Sequence, residues 1–206
     1  MHPVLPLALL EAVRGLDLPN PDAFPEFHDD LSSKRLGMSR TVATQIDRFT
    51  RMMKSGRSVE ADELVALLRL VGRRNDASLV FSEAGRRAGR LAVQRTRTPL
   101  TPLRHVLPGG LRTSAGFRLA QRTVRSVLGG MLRRTDGVAD ASLEDPPSAR
   151  ATEGGAACSF YGAALAEVLR LLTDFEGAMF HVACRTKGDA ACVWRAAPES
   201  LREETV

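Results

Sequence analysis

Apolar and polar positions alternate along this chain with two different periods, and the period changes near residue 128. Before that point apolar residues recur at helical spacing; after it short runs broken by turn residues stand on either side of one more helical stretch. Residues 1–36 read as an N-terminal extension: a short apolar segment, 4–13, then a proline- and acid-rich stretch, 19–30. A helical period begins after Met38. Val42, Ile46, Phe49 and Met53 share one face, and Gly56 closes the helix. Ser58 is placed to cap a second helix, with Glu60, Asp62 and Glu63 in its first turn, where they favour the helix dipole. Leu64, Leu67, Leu68 and Val71 form its apolar stripe. A third helix is predicted over 77–94; its Gly85 and Gly89 would let another backbone come close. A Thr/Pro/Gly-rich connection over 96–112 leads to a fourth helix, 113–128. There Phe117, Ala120, Val124 and Leu128 face one way, while Arg118, Arg122 and Arg125 form a stripe on another face.

Beyond Gly129 the runs shorten. Residues 131–134 and 138–143 predict two strands around Asp136-Gly137, a hairpin signal. A polar loop, 144–155, precedes a fifth helix that starts close to Cys158 and has Tyr161, Leu165, Val168 and Leu172 on one face. Residues 178–183 and 190–195 predict a second hairpin, with Gly188-Asp189 in its turn. The residues from 198 to 206 form an acidic tail expected to fray. The order predicts an α+β domain over 37–197, with helices packed on one face of a small antiparallel sheet.

Composition narrows the class. At 206 residues, 44% hydrophobic and 26% charged, the chain can build one full core without staples. Aromatics make up 5%, which argues against reading nucleic acid by stacking many bases. No apolar run is expected to approach the length of a membrane span, and no basic region precedes the first apolar segment. With three cysteines, an odd number, the chain is expected in a reducing cytoplasm, where cysteines serve more often as metal ligands or reactive thiols than as disulfides. The net charge of +5 is uneven: residues 84–135 hold twelve Arg and no Asp or Glu. Such a run either attracts phosphate, an anionic membrane or a carboxylated ligand, or is a solvated surface.

Cys158, His181, Cys184 and Cys192 form a candidate metal site, because thiolate and neutral imidazole suit tetrahedral zinc. One geometric condition follows. Residues three apart on a regular strand point to opposite faces, so His181 and Cys184 can share a metal only if the strand bulges or ends near Ala183. Other readings stay open: a disulfide between Cys184 and Cys192, three buried cysteines acting as small hydrophobes, or a hydrogen-bonded core histidine.

Those residues also carry a pattern. Cys158-Ser159-Phe160-Tyr161-Gly162, a helix, and then the segment from Phe180-His181 through Cys184, Gly188-Asp189 and Cys192 to Trp194 resemble the 4-vinyl reductase (V4R) domain family. The resemblance covers about residues 130–196, and more weakly extends back to about residue 40. It implies a fold similar to subunits of the TRAPP vesicle-tethering complex. It also implies a zinc bound by three cysteines and a glutamate, as in the family's aromatic sensors. The cysteines correspond to Cys158, Cys184 and Cys192, and His181 stands in the glutamate's place. A softer resemblance, in Glu83-Ala84-Gly85-Arg86-Arg87, is to the family's bacteriochlorophyll-pathway branch; Phe117-Arg118-Leu119-Ala120 departs from the aromatic-rich segment of that branch.

No phosphate-binding glycine loop, Ser-His-Asp set, or nicotinamide or flavin fingerprint is recognisable, and a zinc with four protein ligands leaves no position for substrate. The reading is therefore more a binding module than an enzyme. The resemblance implies a small hydrophobic or aromatic ligand between helices and sheet, with Phe117, Phe160, Tyr161 and Trp194 as candidate lining and a protein partner for output. Two alternatives stand beside it. One is a tetrapyrrole-pathway role, with Arg118, Arg122 and Arg125 pairing with carboxylates. The other is a dimerisation scaffold, a homodimer like the tethering subunits.

Overall fold

The computed structural model describes residues 1–18, 36–96, 109–135, 137–173 and 175–198, with the backbone alone at 109–112 and 198. The proline- and acid-rich stretch, most of the Thr/Pro/Gly-rich connection, Asp136 and the acidic tail lie outside the described residues.

The chain opens with a helix, α1 (Val4–Asp17), whose residues Val4, Leu5, Leu7, Ala8, Leu9, Leu10, Ala12 and Val13 are all buried. A helix whose first two turns are apolar almost all round has little to offer water there, so it becomes a central element. This corrects the reading of residues 1–36 as an extension: Val4, Leu5, Ala8, Leu9, Ala12 and Val13 belong to the main core, and Leu7 and Leu10 to a second cluster beside the next helix. The end of α1 is fixed by charge. The buried Asp17 carboxylate accepts hydrogen bonds from Arg74 Nη1 at 2.9 Å, Arg74 Nη2 at 2.7 Å and the Gly37 N–H at 2.8 Å.

The next helices follow the predicted periods. α2 (Arg40–Ser55) is capped by Ser39, whose hydroxyl accepts from the Val42 N–H, and it ends at Gly56 with φ of 69°. α3 (Ala61–Val71) starts later than Ser58 suggested; Glu60 holds the cap position and makes no side-chain cap bond. α4 (Ala77–Thr96) is the longest described helix, and it packs along α1 on one side and a later core helix on the other. α5 (Gly109–Thr123) runs into a π turn, Val124–Leu128, closed by Gly129 with φ of 73°.

Four strands form one antiparallel sheet in the order β1-β2-β4-β3: β1 (Met131–Thr135), β2 (Val138–Leu143), β3 (Gly177–Ala183) and β4 (Cys192–Pro198). Between the hairpins lie the short α6 (Pro147–Ala151) and the core helix α7 (Cys158–Leu172). Leu132, Ala141, Leu143, Met179, Trp194 and Ala196 are buried on the helix side of the sheet; Met131, Phe180 and Val182 are exposed on the other. The fold is α+β, with a small antiparallel sheet and its apolar residues turned towards the helices.

α7 holds the layers together, with the sheet on one flank and α4 on the other. Gly85 and Gly89 make the second contact possible. A Cβ at Gly85 would lie 2.2 Å from the Phe160 carbonyl oxygen, and one at Gly89 2.8 Å from that of Ala164. The segment Glu153–Leu172 is apolar and long enough to cross a membrane, which corrects the expectation that no run reaches that length. It is 67% buried inside the fold, as suits a core helix.

Candidate functional site

The second hairpin builds the metal cluster through its register. β3 pairs with β4 residue for residue from Gly177 with Pro198 up to His181 with Trp194. The next pair is Ala183 with Val193, so Val182 is an extra residue, a bulge. Val193 lies on the outer side of the sheet, between the buried Cys192 and Trp194. Pairing with it turns Ala183 outward and returns Cys184 to the side of His181. The bulge thus meets the geometric condition set by the sequence.

The turn after Cys184 is held by backbone bonds. A 3-10 turn, Arg185–Lys187, ends at Gly188 with φ of 97°. The Lys187 N–H donates to the Cys184 carbonyl at 2.9 Å, and the Cys184 N–H donates to Asp189 Oδ2 at 2.6 Å. The Arg185 N–H points at Cys192 Sγ at 3.5 Å. From the other side Cys158 enters on the first turn of α7, at the positive end of the helix dipole, which favours thiolate. Gly155, with φ of 77°, closes the approach: a Cβ there would lie 2.8 Å from Cys184 Sγ.

Ligand atoms of Cys158, His181, Cys184 and Cys192 all lie within 4.8 Å of one another. Cys184 Sγ and Cys192 Sγ are 3.9 Å apart, and all three cysteines are free thiols. Cys158 and Cys192 are fully buried and Cys184 almost so, whereas His181 forms an exposed wall with its ring stacked on Trp194 at 4.8 Å. Burial pushes the Cys158 thiol up to about 12, and it also raises Cys192. For Cys184 burial acts upward too, but bonds from Thr186 and the neighbouring thiols outweigh it, and its pKa falls. Burial and the charge of Lys187 keep the His181 imidazole below its ordinary value, in the neutral form that binds metal. Three sulfurs in a dry site cannot ionise together unless a cation compensates them. The four residues could hold a metal ion, and the donor set suits a soft or borderline one.

The other predicted site residues separate into two places. Phe160, Tyr161 and Trp194 are fully buried at the contact of α7 with the sheet and line neither the cavity at Phe117 nor the groove at Arg118. Among the described residues Tyr161 Oη and Trp194 Nε1 have no hydrogen-bond partner, and burial holds the Tyr161 phenol protonated. Phe117 lines a cavity of about 310 Å³ with Leu169, Phe175, Val138 and Ala196, at the edge of α5, α7 and the sheet. Arg134 lies over the Phe117 ring, 4.6 Å from its centre. Arg118, Arg122 and Arg125 line a separate groove of about 830 Å³.

Several residues of these sites escaped sequence reasoning. Ser148, whose hydroxyl is 3.3 Å from Cys158 Sγ, sits on the short α6, within a loop too polar to predict a helix. Alternation along β1 carries the one available signal for Arg134, which falls on the same side as Leu132. Phe175 lies in a connection with no period to read.

Neither a family model nor a curated protein matches the chain.

Proposed function

We propose that this chain is a 4-vinyl reductase-type binding domain in which zinc is a structural clasp and the apolar cavity takes a small hydrophobic or aromatic molecule. The observation that carries this reading is the cavity at Phe117. Its volume of about 310 Å³ lies in the range of small-ligand sites, and its walls are aliphatic and aromatic. Arg134 and Thr173 are the polar side chains in its lining, suited to a single hydroxyl or carboxylate on an otherwise apolar body.

The metal has a different task. Cys158, His181, Cys184 and Cys192 would supply a full tetrahedral set, which leaves no open position for water or substrate. Zinc bound there would supply a charge that neutralises the thiolates. The chain's own residues do the rest: α7 is tied to the second hairpin, and the hairpin holds β4 in the sheet. Binding at the cavity would reach a partner protein through the surface of α5 and β1.

The test is calorimetric titration of phenol, indole and naphthol into the zinc-loaded protein, beside Ala139→Phe, which places a ring in the cavity. Saturable binding by the wild type, absent in Ala139→Phe at unchanged zinc content, is the expected result. Equal binding by both proteins would remove the cavity from the reading. A wild type that binds none of the probes would remove the aromatic ligand.

A further inference from the structure

The groove on the other side of α5 has a chemistry that the apolar cavity lacks. Arg118, Arg122 and Arg125 all line it, one on each successive turn, and span about 10 Å along the helix. Several other arginines of the fold face carboxylates. Arg86 and Arg90 hold Glu83, Arg170 holds the buried Glu167, and Arg74 holds Asp17 and Asp76. Arg118, Arg122 and Arg125 make no hydrogen bond or ion pair with any described residue. Like charges three and four apart on a helix repel, so this stripe costs the free protein stability.

The groove is also built. The π turn Val124–Leu128 and Gly129 bend the chain from α5 into β1, so that Met131 and Leu132 also line the groove beside the arginines. π turns occur often at functional sites. Glu144 and Asp145 line the rim as well. They set a limit on the ligand, because anionic groups must sit along α5 and away from that rim.

We infer that this groove is a second ligand site, which takes a small molecule with an apolar or flat body and at least two anionic groups, carboxylate or phosphate. One anion cannot reach both ends of a stripe about 10 Å long, so two or more charges are needed to engage all three guanidinium groups. The inference stands apart from the reading of the Phe117 cavity, since the two sites have separate walls.

The experiment uses the zinc-loaded full chain at low ionic strength, with pyrophosphate and isophthalate as dianionic probes and acetate as a single charge. Zinc content is measured after each titration, so that chelation is not mistaken for binding. The variant Arg118→Gln, Arg122→Gln, Arg125→Gln is compared with the wild type and with Arg51→Gln, an exposed arginine on α2. Arg122→Gln alone replaces the triple variant if circular dichroism shows that the latter is unfolded. Saturable binding of either dianion, weakened at least about tenfold in the groove variant and unchanged in Arg51→Gln, is expected. Which probe binds tells phosphate from carboxylate. No saturable binding of either dianion overturns the inference, as does an equal loss in Arg51→Gln or equal strength for acetate. Retention of duplex DNA by a protein that binds neither dianion overturns it in favour of a nucleic-acid surface.

Discussion

At the scale of single residues, the cluster depends on atoms that sequence spacing does not display. Four donors within 4.8 Å require the extra residue at Val182 and the missing side chain at Gly155. Cys184→Ser is expected to reduce bound zinc from about one per chain to near zero in elemental analysis, and to cost about 4 kcal/mol in urea unfolding. Gly155→Ala tests the fit differently. Its methyl group would lie 2.8 Å from Cys184 Sγ, on a backbone with φ of 77°. The donors remain, so zinc still binds, but a chromogenic chelator should extract it faster than from the wild type. Protons enter here as well. The Cys158 thiol, raised to about 12 by burial, keeps its proton at neutral pH until a metal displaces it. Zinc binding should therefore release protons, and affinity should weaken as pH falls. Calorimetry in buffers of different ionisation enthalpy measures the number released; a value of zero would argue against thiolate ligation.

Between elements, the closest packing is that of α4 on α7. Gly85 and Gly89 stand one turn apart, and each faces a carbonyl oxygen of α7. Valine at 85 cannot be placed without moving one helix, because even its Cβ would lie 2.2 Å from the Phe160 oxygen. Gly85→Val is expected to destabilise the protein by about 3 kcal/mol or more, with a fall in the urea midpoint. It should also loosen zinc, because Phe160 follows Cys158 by two residues on the same helix. An unchanged midpoint would mean that the two helices are free to separate.

For the whole molecule, the first helix matters more than its position in the chain suggests. α1 fills the middle of the helical layer, and Asp17 ties its end to the turn between α3 and α4. Burial opposes ionisation of Asp17, but the bonds from Arg74 and Gly37 outweigh it and hold its pKa below 3.8. The sign follows from that direction. Stability from this carboxylate is present in full above its unfolded value of about 3.8 and is lost as pH falls through the lower folded value. Asp17→Asn should therefore cost about 2–3 kcal/mol at neutral pH, and wild type and variant should converge under acid. Urea denaturation across pH tests this, and a constant gap down to strong acid would exclude the carboxylate as its source.

Much of this protein was legible in its sequence because local periods carry it. The stripes of α2 and α3, the two hairpins, the α7 face and the four donors all follow from spacing, since one face must avoid water and a metal needs thiolate and imidazole. Where those parts meet is a different matter. A segment as apolar as 4–13, broken only by Glu11, has little period to show which neighbours cover it, and its packing against α4, α2 and α3 makes it core. Phe160, Tyr161 and Trp194 look like ligand contacts until α7 lies on the sheet and removes them from solvent. Arginines 118, 122 and 125 form a stripe by spacing alone; the bend at Gly129 turns that stripe into a wall of a groove. The register bulge at Val182 brings His181 and Cys184 to the same side, and that depends on how two strands pair across a turn. Spacing along the chain settles which residues share a face. Only tertiary contacts settle what that face meets.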